Sequence, residues 1–148
     1  MGATHSFVFD QYRLRPTLAG DLDLAREWTA ADRDHASINP AFWLEQTANH
    51  DSYLLYDVAG PVFFFKICGC FYGSGELHAE VHIQFAPIDE RRLMAGLTRG
   101  LQWLESMLSS CGYREVFFDS TNERLIRFCV KRLGFAEERG KLRKRLAA

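Results

Sequence analysis

The sequence predicts a single α/β domain over residues 1–148, a sandwich around a mixed sheet, and three observations carry that expectation. Leu77–Phe85 alternates strictly: Leu77, Ala79, Val81, Ile83 and Phe85 point one way, and His78, Glu80, His82 and Gln84 the other. Leu93, Leu97, Leu101, Leu104 and Leu108 recur at helical spacing and make one apolar stripe of a long helix. No repeat, low-complexity tract or linker interrupts the 148 residues, which is enough chain to bury a core without disulfides or a metal.

The remaining elements follow in order. Residues 7–15 alternate well enough for one strand, closed by Pro16. Thr17 or Asp21 then caps a helix with Leu22, Ala25, Trp28 and Ala31 on one face. Asn39-Pro40 is a cap followed by a proline at the first helical position, and opens a short helix through Phe42, Trp43 and Leu44. Ser52–Val58 and Pro61–Cys68 read as a hairpin about Ala59-Gly60. After strand 77–85 and Pro87 comes a polar turn, residues 88–92, and then the long helix, which ends near Gly112. Arg114–Asp119 is a short strand. Asn122 caps a helix with Leu125, Ile126, Cys129, Val130 and Leu133 inward, stopped by Gly134. Phe135–Glu138 and Leu142–Leu146 close the chain as a hairpin around Gly140.

Composition excludes several classes. The chain is 47% hydrophobic, 25% charged and 14% aromatic, which is not the balance of a disordered chain. Apolar runs such as Val62–Phe65 are far too short to span a bilayer, so no membrane association is expected. Met1–His5 lacks the basic and apolar regions of a secretory signal, and the expected location is cytoplasmic. A net charge of −1 argues against general nucleic-acid affinity. That average hides an asymmetry: residues 1–74 carry five basic groups and nine acids, whereas residues 75–148 carry 13 and 10. An anionic ligand would therefore belong to the second half. The four cysteines, Cys68, Cys70, Cys111 and Cys129, lack a zinc-type spacing and read as buried thiols in a reducing cytosol.

The polar side of strand 77–85 is the sharpest chemical feature. Glu80, with His78 or His82 beside it, offers a general base near neutral pH. The same alternation also suits a solvated sheet face, and the two histidines with Glu80 could hold a divalent cation, although no metal is expected. The basic run Arg139, Lys141, Arg143, Lys144 and Arg145 reads as a solvated, edge-protecting strand face.

Three stretches together resemble the GNAT acyltransferase superfamily, which moves an acyl group from coenzyme A to an amine. Arg13-Leu14-Arg15-Pro16-Thr17 with Asp21 is similar to the family's opening strand and cap. Asn122–Phe128, closing in Leu133-Gly134-Phe135, is similar to its last helix and Gly-Phe stop. Between them, strand 77–85 leads through a basic turn into a long helix, as the family's cofactor-binding unit does. The resemblance implies a mixed, mostly antiparallel sheet with helices on both faces.

It also implies acyl transfer from acetyl-CoA or a related acyl-CoA to a small-molecule or peptide amine, with Glu80 as base and His82 or His78 as substitutes or tuners. Strand backbone around Ile83 and Phe85 would pair with the pantetheine arm. The phosphate loop would fall on Arg91, Arg92, Met94, Ala95 and Gly96, and Asn122 would contact the arm or substrate, or serve only as a cap. Family members often dimerise, so a homodimer is among the expectations. Two departures mark the chain as divergent. Met94 stands where the loop pattern Arg/Gln-x-x-Gly-x-Gly/Ala has its first glycine, and the family's tyrosine acid is replaced by Val130, or by Cys129 in the alternative register. These departures motivate a competing expectation, a catalytically degenerate binding or assembly module of phage or mobile-element origin.

Overall fold

The computed structural model describes residues 5–71 and 75–147. Residues Met1–Thr4, which carried most of the reading against a leader, lie outside the described residues. The elements in chain order are β1 (Phe7–Phe9), β2 (Tyr12–Pro16), a 3₁₀ turn (Ala19–Asp21), α1 (Leu22–Ala31), a 3₁₀ helix (Pro40–Leu44), β3 (His50–Asp57), β4 (Gly60–Phe71), β5 (Leu77–Phe85), α2 (Glu90–Ser110), β6 (Glu115–Asp119), α3 (Glu123–Arg132), β7 (Ala136–Glu138) and β8 (Lys141–Arg145). The strands form one eight-stranded sheet in the order β1-β2-β3-β4-β5-β6-β8-β7. The β1–β2, β2–β3, β6–β8 and β7–β8 pairs are antiparallel, and β5–β6 is parallel. The fold is thus the mixed α/β class expected. No described helix is long and apolar enough to cross a membrane.

The chain packs as two compact units, Met1–Ile67 with His82–Gly100, and Cys68–Val81 with Leu101–Ala148. In the first, consecutive residues of a strand show which helix covers which face. Phe64 meets Trp28 of α1 edge-on, with ring centres 5.1 Å apart, while its neighbour Phe63 faces Gly100 of α2. Leu54 and Leu55 divide in the same way, so α1 and α2 cover opposite faces. Ala25, Trp28, Trp43, Leu54, Phe64 and Ala86 form the core under α1. Gly96 and Gly100 let α2 approach the sheet closely: a Cβ on Gly96 would lie 3.0 Å from Val62 Cγ1.

In the second unit, Leu101, Leu104 and Leu108 of α2 are buried, as the leucine stripe requires, and Leu125 and Cys129 of α3 are also buried. Burial pushes the Cys129 thiol up to about 12. Lys144 of β8 reaches both Glu105 on α2 (2.7 Å) and the Leu133 carbonyl at the end of α3 (2.7 Å).

Four sequence expectations are corrected. Residues 7–15 form a hairpin, β1–β2, rather than one strand; Phe9 pairs with Tyr12 across Asp10-Gln11. Asp10 takes a positive φ of 53°, a conformation a short polar side chain tolerates better than most. The apolar positions shift from odd (Phe7, Phe9) to even (Tyr12, Leu14) across Asp10-Gln11, a break in alternation that marks the turn. Asp21 precedes α1 but its side chain makes no cap bond to it; its carboxylate instead accepts from the Leu18 N–H of the preceding turn (2.8 Å) and grips Arg15 through two bonds, 2.7 and 2.8 Å. Helix α2 begins at Glu90, three residues earlier than expected, and absorbs most of the polar turn. Val130 is 42% exposed, because it sits a third of a turn from the Leu125–Cys129–Leu133 line.

Candidate active site

The polar face of β5 is built by strand alternation, but it is not solvated. His78 and Gln84 are buried, and Glu80 and His82 are half-buried. Each of the four has a distinct setting.

His78 belongs to a row of charges across three strands. Its register partner on β6 is Glu115, whose own partner on β8 is Arg145. His78 Nε2 lies 2.9 Å from Glu76, and Nδ1 lies 3.7 Å from Glu115. Arg143 hydrogen-bonds Glu115. Arg145 Nη1 lies 2.9 Å from Glu76, and that guanidinium, with His78, holds the Glu76 carboxyl down to about 2. Nε2 is thereby held on Glu76, while Nδ1 faces Glu115 beyond hydrogen-bond distance.

Gln84 is fully buried and bridges β5 to the end of α1. Its amide nitrogen donates to Asp32 Oδ2 (3.1 Å) and to the Phe85 carbonyl (3.1 Å), while its oxygen lies 2.7 Å from His35 Nδ1. It is a strut holding the 32–38 turn to the strand.

Glu80 and His82 remain as the groups with partial access. A Glu80 carboxylate oxygen lies within 4.8 Å of Cys68 Sγ. Burial, and then the Glu80 charge, pushes the Cys70 thiol above its ordinary value. His82 meets the Phe42 ring edge-on, with centres 5.3 Å apart and planes at 88°.

The β5 backbone has its own geometry. The Arg114 N–H donates to the Leu77 carbonyl on the β6 side, whereas the Ala86 N–H donates to Val62 of β4. Alternation then turns the main-chain groups of Val81, Ile83 and Phe85 to the β6 side. The β5–β6 register ends at Glu80–Phe117, five residues before β5 itself ends. That edge of β5 therefore carries strand backbone beyond the last β6 pair.

The expected phosphate loop is the start of α2. The first helical bond runs from the Leu93 N–H to the Asp89 carbonyl (3.2 Å), and the Asp89 carboxylate accepts from the Arg92 N–H (3.1 Å). Glu90 and Arg91 contribute the remaining first-turn amides. Arg91 is exposed, but the Arg92 guanidinium is held on Asp57 by two 2.8 Å bonds. Met94 is half-buried within the helix, Ala95 is exposed, and Gly96 serves packing against the sheet. Asn122 is a true N-cap, accepting from Arg124 and Leu125 amides at 3.1 Å each.

Sequence reasoning missed Lys66, Phe42 and Asp57. A signal for Lys66 existed, since one charge interrupts the apolar run Val62–Ile67.

No protein-family model matches the chain, and no curated protein matches it in sequence. Solved structures do. The ribosomal-protein-S18-alanine N-acetyltransferase from Escherichia coli is 16% identical with a TM-score of 0.66, covering 93% of this chain and 95% of that one. A chain assigned as a phosphinothricin N-acetyltransferase is 19% identical with a TM-score of 0.64, over 93% and 99% of the two chains. A Salmonella typhimurium protein assigned as an acetyltransferase, solved with its cofactor acetyl-CoA, is 13% identical with a TM-score of 0.61, over 93% and 95%. Such likeness over nearly the whole of each chain, together with the mixed sheet, establishes that this chain has the GNAT acetyltransferase fold.

Proposed function

We propose that the chain is an N-acyltransferase that moves an acetyl or related acyl group from an acyl-CoA to a primary amine. The observation that carries this reading is the conjunction on β5 of a half-buried Glu80–His82 face with a backbone edge extending past the last β6 pair. The fold's solved relatives include one bound to acetyl-CoA.

An amine is protonated near neutral pH and has no lone pair to attack with. Glu80 takes that proton, with His82 two residues along on the same face as its aid. The freed amine attacks the thioester carbonyl; as the C–S bond breaks, the nitrogen gives up its second proton to the departing thiolate, and no tyrosine acid is needed at Val130 or Cys129. Backbone N–H groups at the end of β5 stabilise the developing oxyanion, and those around Ile83 and Phe85 align the pantetheine amides. At α2, the Glu90 and Arg91 amides and the Arg91 side chain meet the pyrophosphate. Asp89 opposes that contact, and Arg92 is committed to Asp57, so phosphate contributes less to affinity than the pantetheine arm does. His78 is a structural member of the Glu76–Glu115 row rather than a base.

The deciding experiment is a calorimetric titration with acetyl-CoA, followed by thiol release in the presence of a panel of small and peptide amines. Saturable binding and amine-dependent thiol release support the reading. No heat at millimolar acetyl-CoA overturns it and leaves a non-catalytic binding module.

A further inference from the structure

Among the described residues, Lys66 is the one lysine or arginine that is fully buried. An ammonium taken out of water is costly, and an apolar side chain in its place is often as stable or more so. The run Val62–Ile67 offers every reason for another apolar residue here, so what distinguishes Lys66 is the direction of its bonds. All of them go to one short segment. Its Nζ donates to the Phe42 carbonyl at 3.0 Å, pairs with Glu45 Oε2 at 3.0 Å, and lies 3.7 Å from the centre of the Phe42 ring. Lys66 and then His50 hold the Glu45 carboxyl below the usual range. The 3₁₀ helix Pro40–Leu44 is thereby tied to β4.

The Phe42 ring that receives the ammonium is also the ring that His82 meets edge-on at 5.3 Å. Phe42 in turn packs edge-on against buried Trp43, at 5.0 Å, so it has little freedom to drift while the tie holds.

We propose that Lys66 is a positioning residue: by clamping the carbonyl and ring of Phe42, it fixes the wall against which the His82 imidazole sits beside Glu80. The proposal rests on reading Glu80 and His82 as the acyl-transfer base pair. Without the ammonium, the Phe42 carbonyl loses its donor, the short helix lifts, and His82 loses its orientation.

The test compares the wild-type protein with K66M, which keeps the stem and removes the charge, and with F42L, which removes the ring. The His82 ring proton, assigned through H82Q, reports the aromatic ring current at the imidazole. Amide exchange at residues 41–45 reports the tie itself. Acetyl-CoA turnover with water as acceptor reports the chemistry, and calorimetry reports acetyl-CoA affinity. In folded K66M the His82 resonance should move towards its F42L position, and exchange at 41–45 should accelerate. Turnover should fall by about tenfold to a hundredfold, the scale of a misplacement of up to ~1 Å, with acetyl-CoA affinity unchanged. A His82 resonance and exchange rates at wild-type values in K66M overturn the proposal, because a purely stabilising lysine would lower the melting point and move neither. Should K66M fail to fold, E45Q removes only the outer partner; a smaller shift in the same direction supports the proposal and an unmoved resonance overturns it. If wild-type protein does not bind acetyl-CoA, the acyl-transfer reading fails on its own, and the resonance and exchange data still decide whether Lys66 positions the ring.

Discussion

Arg92 holds Asp57 through two parallel hydrogen bonds, Nε to Oδ2 and Nη2 to Oδ1, each 2.8 Å long. The pair joins the first turn of α2 to the end of β3, with both side chains less than a third exposed. Arg92, then burial and the Ala59 amide, set the Asp57 carboxyl, and the net effect is a value below the ordinary one. A carboxyl lowered by folding stabilises the native state above its unfolded value, and that contribution disappears as pH falls through the folded value. Asp57→Asn should therefore cost roughly 1–2 kcal/mol at neutral pH. It should also flatten the loss of stability below about pH 4. Urea midpoints measured across pH 2.5 to 7, values of about that span, check both outcomes.

Glu80→Gln keeps the size of the side chain and removes its basicity. Amine-dependent thiol release should fall by about 10²- to 10⁴-fold, the usual contribution of a positioned base. On the proposed reading, in which the β5 edge carries the pantetheine arm, acetyl-CoA affinity should stay within about twofold on the tenfold-per-1.4 kcal/mol scale. A loss of less than about tenfold would assign the base elsewhere on this face, His82 first.

Gly96→Ala sets two effects against each other. Alanine in a helix is worth about 1 kcal/mol over glycine. The new Cβ, however, would lie 3.0 Å from Val62 Cγ1 and 3.5 Å from Leu55 Cδ2, both on fully buried side chains with little room to move. Overpacking of that kind costs about 1–3 kcal/mol. The substitution should lower the melting temperature, and a thermal scan decides the sign.

The strand Leu77–Phe85 was legible to the residue, because nine residues of strict alternation admit one reading. The leucine stripe of α2 and the Asn122 cap were legible for the same reason: each rests on local spacing or local hydrogen bonding. What escaped depended on partners far along the chain. Arg92 reads as a free cation at a helix start until Asp57, 35 positions earlier, is seen beside it. Gly96 reads as part of a phosphate loop until Val62 and Leu55 show why no side chain is wanted there. The face of β5 reads equally well as solvated, because alternation states which side a residue is on and not what covers it. Gln84 is buried by the turn that carries Asp32 and His35, which no periodicity announces.

Asp89 supplies the last prediction, since on the proposed reading one carboxylate both serves the fold and opposes the ligand. Its Oδ1 accepts from the Arg92 amide and so caps the first turn of α2. The same negative charge stands where a pyrophosphate would approach the Glu90 and Arg91 amides. Asp89→Ala should lower stability by about 0.5–2 kcal/mol, the cost of a lost cap. It should nevertheless tighten acetyl-CoA binding several-fold, because one unit charge at 4 Å carries about 1 kcal/mol even at the dielectric of water. Asp89→Asn keeps a cap and removes the charge, so it should tighten binding with little loss of stability. Thermal unfolding without ligand and calorimetry with acetyl-CoA separate the two effects. Stability and affinity falling together in both variants would mean that the helix start binds no phosphate, and that acyl-CoA is held by the β5 edge alone.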